Sequence, residues 1–105
     1  MRFTSFLENG MLTVVLTGEI DHHCAKAYID AINAKIEVYL PRECVLDFEQ
    51  VSFMDSSGIA VGINALRNMT KIHGQLVVSG MGPQPLKVFR ASGMDKIVEI
   101  KEVYS

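Results

Sequence analysis

Cysteine is scarce in this chain, with two residues in 105. Cys24 and Cys44 form no CxxC pair, and a domain of this length does not depend on one disulfide, so both are expected to be reduced. Clustered basic charge is also missing. Ten Lys and Arg are spread along the chain against twelve Asp and Glu, a net charge of −2, which argues against a nucleic-acid binder. The opening MRFTSFLENGML has no long apolar h-region, and no apolar run approaches the length of a membrane span. No linker, repeat or low-complexity tract divides the sequence. These absences leave a single domain over 1–105, expected to be cytoplasmic, with no nucleic acid and no membrane as partner. At 49% hydrophobic residues it has the material for one core, since a domain this size hides about two-thirds of its unfolded surface.

Enzymatic signatures are lacking as well. Asp55-Ser56-Ser57-Gly58 has no preceding glycine, so it is not the G-x-S-x-G elbow of a serine hydrolase built from Ser56, His22 or His23, and Asp55. Gly80-Met81-Gly82 lacks the Lys-Ser/Thr of a phosphate loop, and Pro83 removes a donor; a loop that needs small residues is the simpler reading. The letters Asp21-His22-His23-Cys24 match membrane palmitoyltransferases, which need transmembrane helices and a cysteine-rich zinc domain, both absent. As a metal site the run fails on geometry. Adjacent helical side chains point about 100° apart, and no further His/Cys pair completes a tetrahedral set. The run reads as a helix start, with Asp21 the cap and the histidines in an exposed first turn. The methionines read as core or turn residues, Met81 and Met94 as exposed contacts.

What is present alternates strand and helix. Asn9-Gly10 between Phe3–Leu7 and Met11–Thr17 predicts a hairpin, because both turn positions tolerate positive φ. Leu12, Val14 and Leu16 give the second strand one apolar face, Thr13, Val15 and Thr17 a mixed one, and Gly18 ends it. From Asp21 to Leu40 an amphipathic stripe runs through Ala25, Tyr28, Ile29, Ile32, Ile36 and Tyr39, closed by Pro41. Cys44–Phe48 is a short buried strand. Ile59, Ile63, Leu66, Met69 and Ile72 mark a second helix with Gly74 as its left-handed stop. Gln75–Ser79 is a strand. Pro83 and Pro85 open a short helix with Leu86, Val88 and Phe89 on its apolar face, which Gly93 ends, and Ile97–Ile100 is the last strand. The order β-β-α-β-α-β-α-β predicts an α/β domain: a mixed, mostly parallel sheet with an N-terminal hairpin and amphipathic helices packed on it.

Chemistry is concentrated in Ser52–Gly58. A strand that runs through Asp-Ser-Ser-Gly into a helix sets hydroxyls where backbone N–H groups are unpaired and the dipole is positive. A phosphate on Ser56 would find donors there. On local physics alone the commoner role is a plain N-cap by Ser56 or Ser57.

Gly18-Glu19-Ile20-Asp21-His22-His23, Val45-Leu46-Asp47-Phe48-Glu49 and Val51-Ser52-Phe53-Met54-Asp55-Ser56-Ser57-Gly58-Ile59 closely resemble the STAS-domain anti-sigma factor antagonists of endospore-forming bacteria. Val88-Phe89-Arg90-Ala91-Ser92-Gly93-Met94 resembles that family's last helix. The likeness spans nearly the whole chain, and Asp-His-His points to its sporulation sigma-F branch rather than the stress-response branch. The resemblance implies a STAS fold and a non-enzymatic switch without cofactor or metal. The unphosphorylated protein would bind an anti-sigma factor that is also a serine kinase and free the sigma factor. That kinase would phosphorylate Ser56, and a metal-dependent serine phosphatase would reverse it. Asp21 would lie beside the phosphorylation site, and Asp21, Asp55, Ser57 and Gly58 would contact the partner. Ala60, in Ile59-Ala60-Val61-Gly62, departs from the usual Leu-Gly-Val and alters the edge of that surface. The family generally carries a further C-terminal helix, and the sequence stops at Ser105 soon after the last predicted strand, so that element is expected to be truncated or missing. The alternative reading is a STAS-type module for a nucleotide or other small ligand.

Overall fold

The computed structural model describes residues 2–101. Its elements are β1 (Arg2–Glu8), β2 (Met11–Ile20), α1 (His22–Tyr39), β3 (Glu43–Met54), α2 (Ser56–Lys71), β4 (Gln75–Ser79), α3 (Pro83–Ala91), a 3-10 turn at Met94–Lys96 and β5 (Glu99–Lys101). The expected alternation of strands and helices is the one observed. The chain end, where a further helix was in question, lies outside the described residues.

Asn9 and Gly10 take φ of 52° and 79°, the left-handed pair of a two-residue turn, and β1 folds back antiparallel on β2. All later pairings are parallel, in the order β1-β2-β3-β4-β5. One face of the sheet holds Leu12, Val14, Leu16 and Ile20 of β2 with Cys44, Leu46, Phe48, Val51 and Met54 of β3. Ala25, Tyr28, Ile32 and Ile36 of α1, Ile59, Val61, Ala65 and Met69 of α2 and Phe89 of α3 close the same core. The Tyr28 hydroxyl donates to the Thr17 carbonyl at 3.0 Å and accepts from the Thr17 amide at 3.2 Å, so this phenol is buried with its polar end satisfied. Asn33 and Asn68 join α1 to α2 by a side-chain hydrogen bond.

Several sequence expectations change here. Gly18 does not end β2. It takes φ 83° inside the strand, at an irregular register, and pairing resumes to Ile20. β3 is longer than Cys44–Phe48. It gains two residues on β2, because Val15 pairs with Asp47, Thr17 with Gln50, Gly18 with Val51 and Glu19 with Phe53. These bulges let the buried series continue through Val51 and Met54. The left-handed residue after α2 is His73, at φ 59°. Gly74 is needed for space instead, since a Cβ there would lie 2.5 Å from Met69 Cε and 2.9 Å from the Arg42 carbonyl oxygen. Tyr39 and Ile63 are exposed: the buried arc of α1 ends at Ile36, and that of α2 passes through Gly62 and Ala65 beside Ile63. Met94 is buried at the core edge against Gly62, not exposed, and Met81 is half-buried against the core.

Candidate functional site

Ile20 and Met54 are register partners at the ends of β2 and β3, and each strand is followed at once by an aspartate and a helix. The Asp55 amide donates to the Ile20 carbonyl at 3.1 Å, which carries the strand pairing one residue further. Asp21 and Asp55 therefore stand side by side beyond the carboxyl ends of parallel strands, the edge where sites in such sheets collect.

Both aspartates are N-caps. Asp21 Oδ1 accepts from the amides of His23 at 2.9 Å and Cys24 at 3.3 Å. Desolvation of the Asp21 carboxyl raises its pKa, but these donors and the His23 imidazole outweigh that and hold it below the ordinary aspartate value. Asp55 Oδ1 accepts from the Ser57 amide at 2.7 Å. The cap of α2 is thus Asp55, and neither serine, which corrects the plain-cap reading of Ser56 or Ser57. Ser56 is the first residue of the helix and exposed, while Ser57 is half-buried. Of the amide donors expected to wait there, two are already engaged. The Ser57 amide is taken by Asp55, and the Gly58 amide donates to the Asp55 carbonyl at 3.0 Å.

Gly58 is buried at the first turn, and a Cβ there would lie 2.2 Å from Met54 Cγ and 2.3 Å from its Sδ. It is a packing residue as well as a neighbour of Ser56. His22 and His23 are exposed with ring centroids 3.9 Å apart. Among the described residues no group of three His, Cys, Asp or Glu is placed to hold a metal, and none of the hydrogen bonds joins Asp21 to Ser56.

Sequence reading missed Gln84. Its side chain accepts from the Met54 amide at 2.8 Å and donates to the Met54 carbonyl at 2.8 Å, mimicking a neighbouring strand and pinning α3 to the residue before Asp55. The groove so formed, about 580 Å3, is lined by Ser56, Ile59, Gln84, Lys87, Val88 and the Ala91-Ser92 turn. Lys87 brings a positive charge to the surface that Ser56 borders. Nothing in the local pattern of Pro83-Gln84-Pro85 announces this; the contact spans thirty residues of sequence. Ala60 is exposed on the next turn of α2.

The family model described as the STAS domain matches residues 7–105. The anti-sigma-B factor antagonist of Listeria monocytogenes serovar 1/2a is 30% identical over 95 residues, 88% of this chain and 80% of that protein. The anti-sigma F factor antagonist of Lysinibacillus sphaericus is 30% identical over 83 residues, 79% of this chain and 71% of that one. Among solved structures, the anti-sigma factor antagonist SpoIIAA in its unphosphorylated form superposes with a TM-score of 0.85 at 25% identity, covering 99% of this chain and 90% of that chain. Phosphorylated SpoIIAA from Bacillus gives 0.77 at 25% identity, covering 99% and 93%.

Proposed function

The chain belongs to the STAS-domain family, and from that membership we infer that it is an anti-sigma factor antagonist switched by phosphorylation of Ser56. Antagonists of this family are regulatory binding proteins and not enzymes. In this reading Ser56 is a substrate of the partner and catalyses nothing. The unphosphorylated form binds an anti-sigma factor with serine kinase activity and displaces the sigma factor. The kinase then modifies Ser56 and the complex parts; a serine phosphatase restores the binding form. The cytoplasm is the compartment of such an exchange, and no helix among the described residues is long and apolar enough to cross a membrane. Asp21-His22-His23 supports the sporulation branch, while relatives of both the sigma-B and sigma-F kinds share 30% identity with this chain.

One observation carries the proposal: Asp55 holds the cap, so the exposed Ser56 hydroxyl at the start of α2 has no structural duty. It can accept a phosphoryl group without cost to the helix terminus. Asp21 and Asp55 on one side and Lys87 on the other make the surroundings charged, so the added phosphate alters a surface that a partner reads. Incubation with the cognate kinase and ATP, followed by peptide mass spectrometry, tests this. One phosphate is expected, on Ser56 and absent from Ser56→Ala; phosphate on Ser52 or Ser57 overturns the assignment.

A further inference from the structure

β1 is an outer strand of the sheet, seven residues long, and among the described residues it is paired on one side only. An outer strand of that length with apolar side chains invites pairing with another chain unless something blunts it. Here Phe6 is 52% and Leu7 43% exposed.

The hairpin fixes which backbone groups are free. A two-residue turn closes on a hydrogen-bonded pair, here Glu8 and Met11, and bonded pairs alternate with non-bonded ones from there. Phe6 and Thr4 therefore direct their amides and carbonyls at Thr13 and Val15, while Phe3, Ser5 and Leu7 direct theirs outward. The outward set has a centre, Ser5, with Phe3 and Leu7 at equal distances along the strand.

We propose that β1 pairs antiparallel with β1 of a second copy about a twofold axis at Ser5, joining the two sheets into one. In that register Ser5 meets Ser5, and Phe3 meets Leu7 at both ends, so every outward amide finds an outward carbonyl. The strand's own sequence, Arg-Phe-Thr-Ser-Phe-Leu-Glu, is self-complementary there: an arginine position falls opposite a glutamate position at each end. Thr4 lies opposite Phe6, which covers part of the exposed ring. A parallel partner would set like charges at like ends and lose this match. The isologous pairing closes on itself and builds no filament.

One strand pair buries less than the roughly 1,200 Å2 at which stable interfaces begin. The dimer is accordingly weak, with a dissociation constant on the order of 0.1–1 mM.

Sedimentation equilibrium from tenfold below to tenfold above that range should show the mass rising from 11.6 kDa toward twice that value. Ser5→Pro, which removes an outward amide and none that faces β2, should stay monomeric throughout. For register, Ser5→Cys in a Cys24→Ser background should form a disulfide dimer under diamide, since opposed Cα atoms in a bonded pair lie about 5.5 Å apart. Glu8→Cys in the same background should not, because its copies are separated by most of the strand. If Ser5→Pro fails to fold, the cysteine pair decides. A wild type that stays monomeric throughout, a folded Ser5→Pro that dimerises like wild type, or equal cross-linking of both cysteine variants overturns the proposal.

Discussion

The amide of Asp55 donates to the carbonyl of Ile20 at 3.1 Å, so the caps of α1 and α2 are held together by a bond between their strands. Asp21 should accordingly show two separable roles. Asp21→Ala loses the cap, about 0.5–2 kcal/mol of stability. If the partner supplies an arginine to the carboxylate, the same change weakens binding by about 2–5 kcal/mol. Asp21→Asn keeps the cap, so it should retain the melting temperature while losing affinity. Its lowered pKa also has a sign: the carboxylate's contribution to stability is full above the ordinary value of 3.8 and is lost as the pH falls through the depressed one. Binding titrations and melts of both variants check this. An asparagine variant that binds like wild type makes Asp21 a cap and nothing more.

Phosphorylation of Ser56 should leave the fold alone. The group brings about −1.5 to −2 charges. The helix dipole returns about 0.3–1 kcal/mol, and repulsion from Asp55 takes back a comparable amount. With the Ser57 and Gly58 amides already engaged, no new bonds to them tip the balance. The melting temperature should move by a few degrees at most. At the partner surface nothing offsets the charge, and affinity should fall at least about a hundredfold. Circular dichroism and a binding assay on phosphoprotein and on Ser56→Asp measure both. A rearranged spectrum would show a conformational switch instead.

Gln84→Ala strips the buried Met54 backbone of both side-chain partners. A loss of about 1–3 kcal/mol is expected for each group left unpaired, read from urea denaturation. Lys87→Ala, on the same groove but exposed, should stay within about 0.5 kcal/mol of wild type.

Gly58→Ala drives a methyl group into Met54 and should cost about 1–3 kcal/mol. Trimming the obstacle tests the cause. Met54→Ala combined with Gly58→Ala should be less destabilising than the sum of the single changes, because one methyl fills part of the space the other vacates. Simple additivity would disprove the clash.

Burial, helped by neighbouring Glu43, pushes the Cys44 thiol up to about 12 from an ordinary 9.0. The folded state holds this proton more tightly than the unfolded chain. Stability from this group is therefore complete below pH 9 and declines as the pH rises from there toward 12. At pH near 8, iodoacetamide should label the half-buried Cys24 and spare Cys44 until the protein unfolds. Labelling of Cys44 at the rate of Cys24 would contradict its burial.

Most of the fold was written locally. Asn9-Gly10, the alternation of Leu12, Val14 and Leu16, and Asp21 ahead of an apolar stripe each act within a few residues of themselves, and each appears as expected. The proposal for Ser56 rests on its neighbours in sequence. What escaped depends on partners far along the chain. The run of β3 past Phe48 needs the irregular pairing with Gly18, which no period reveals. His73 takes the left-handed turn, and Gly74 is required instead by Met69 and by Arg42, the latter far away in sequence. Gln84 matters only because α3 returns to the end of β3. Asp55 displaced the serines as cap because three adjacent capping residues are indistinguishable until the backbone chooses one.

The two extra residues that β3 gains on β2 make its length a counting device. Between Asp47 and Met54 the strand inverts its facing twice, so Met54 points inward again, beside Ile20, with Asp55 and Ser56 next in line. Exchanging the exposed Ser52 or Phe53 for another residue preserves that count. Deleting either one only erases the second bulge: plain alternation from Val51 still carries Met54 inward opposite Ile20, with Asp55 and Ser56 next in line. Losing a residue from the regular run Cys44–Phe48 is the harmful change, because it turns over every side chain that follows.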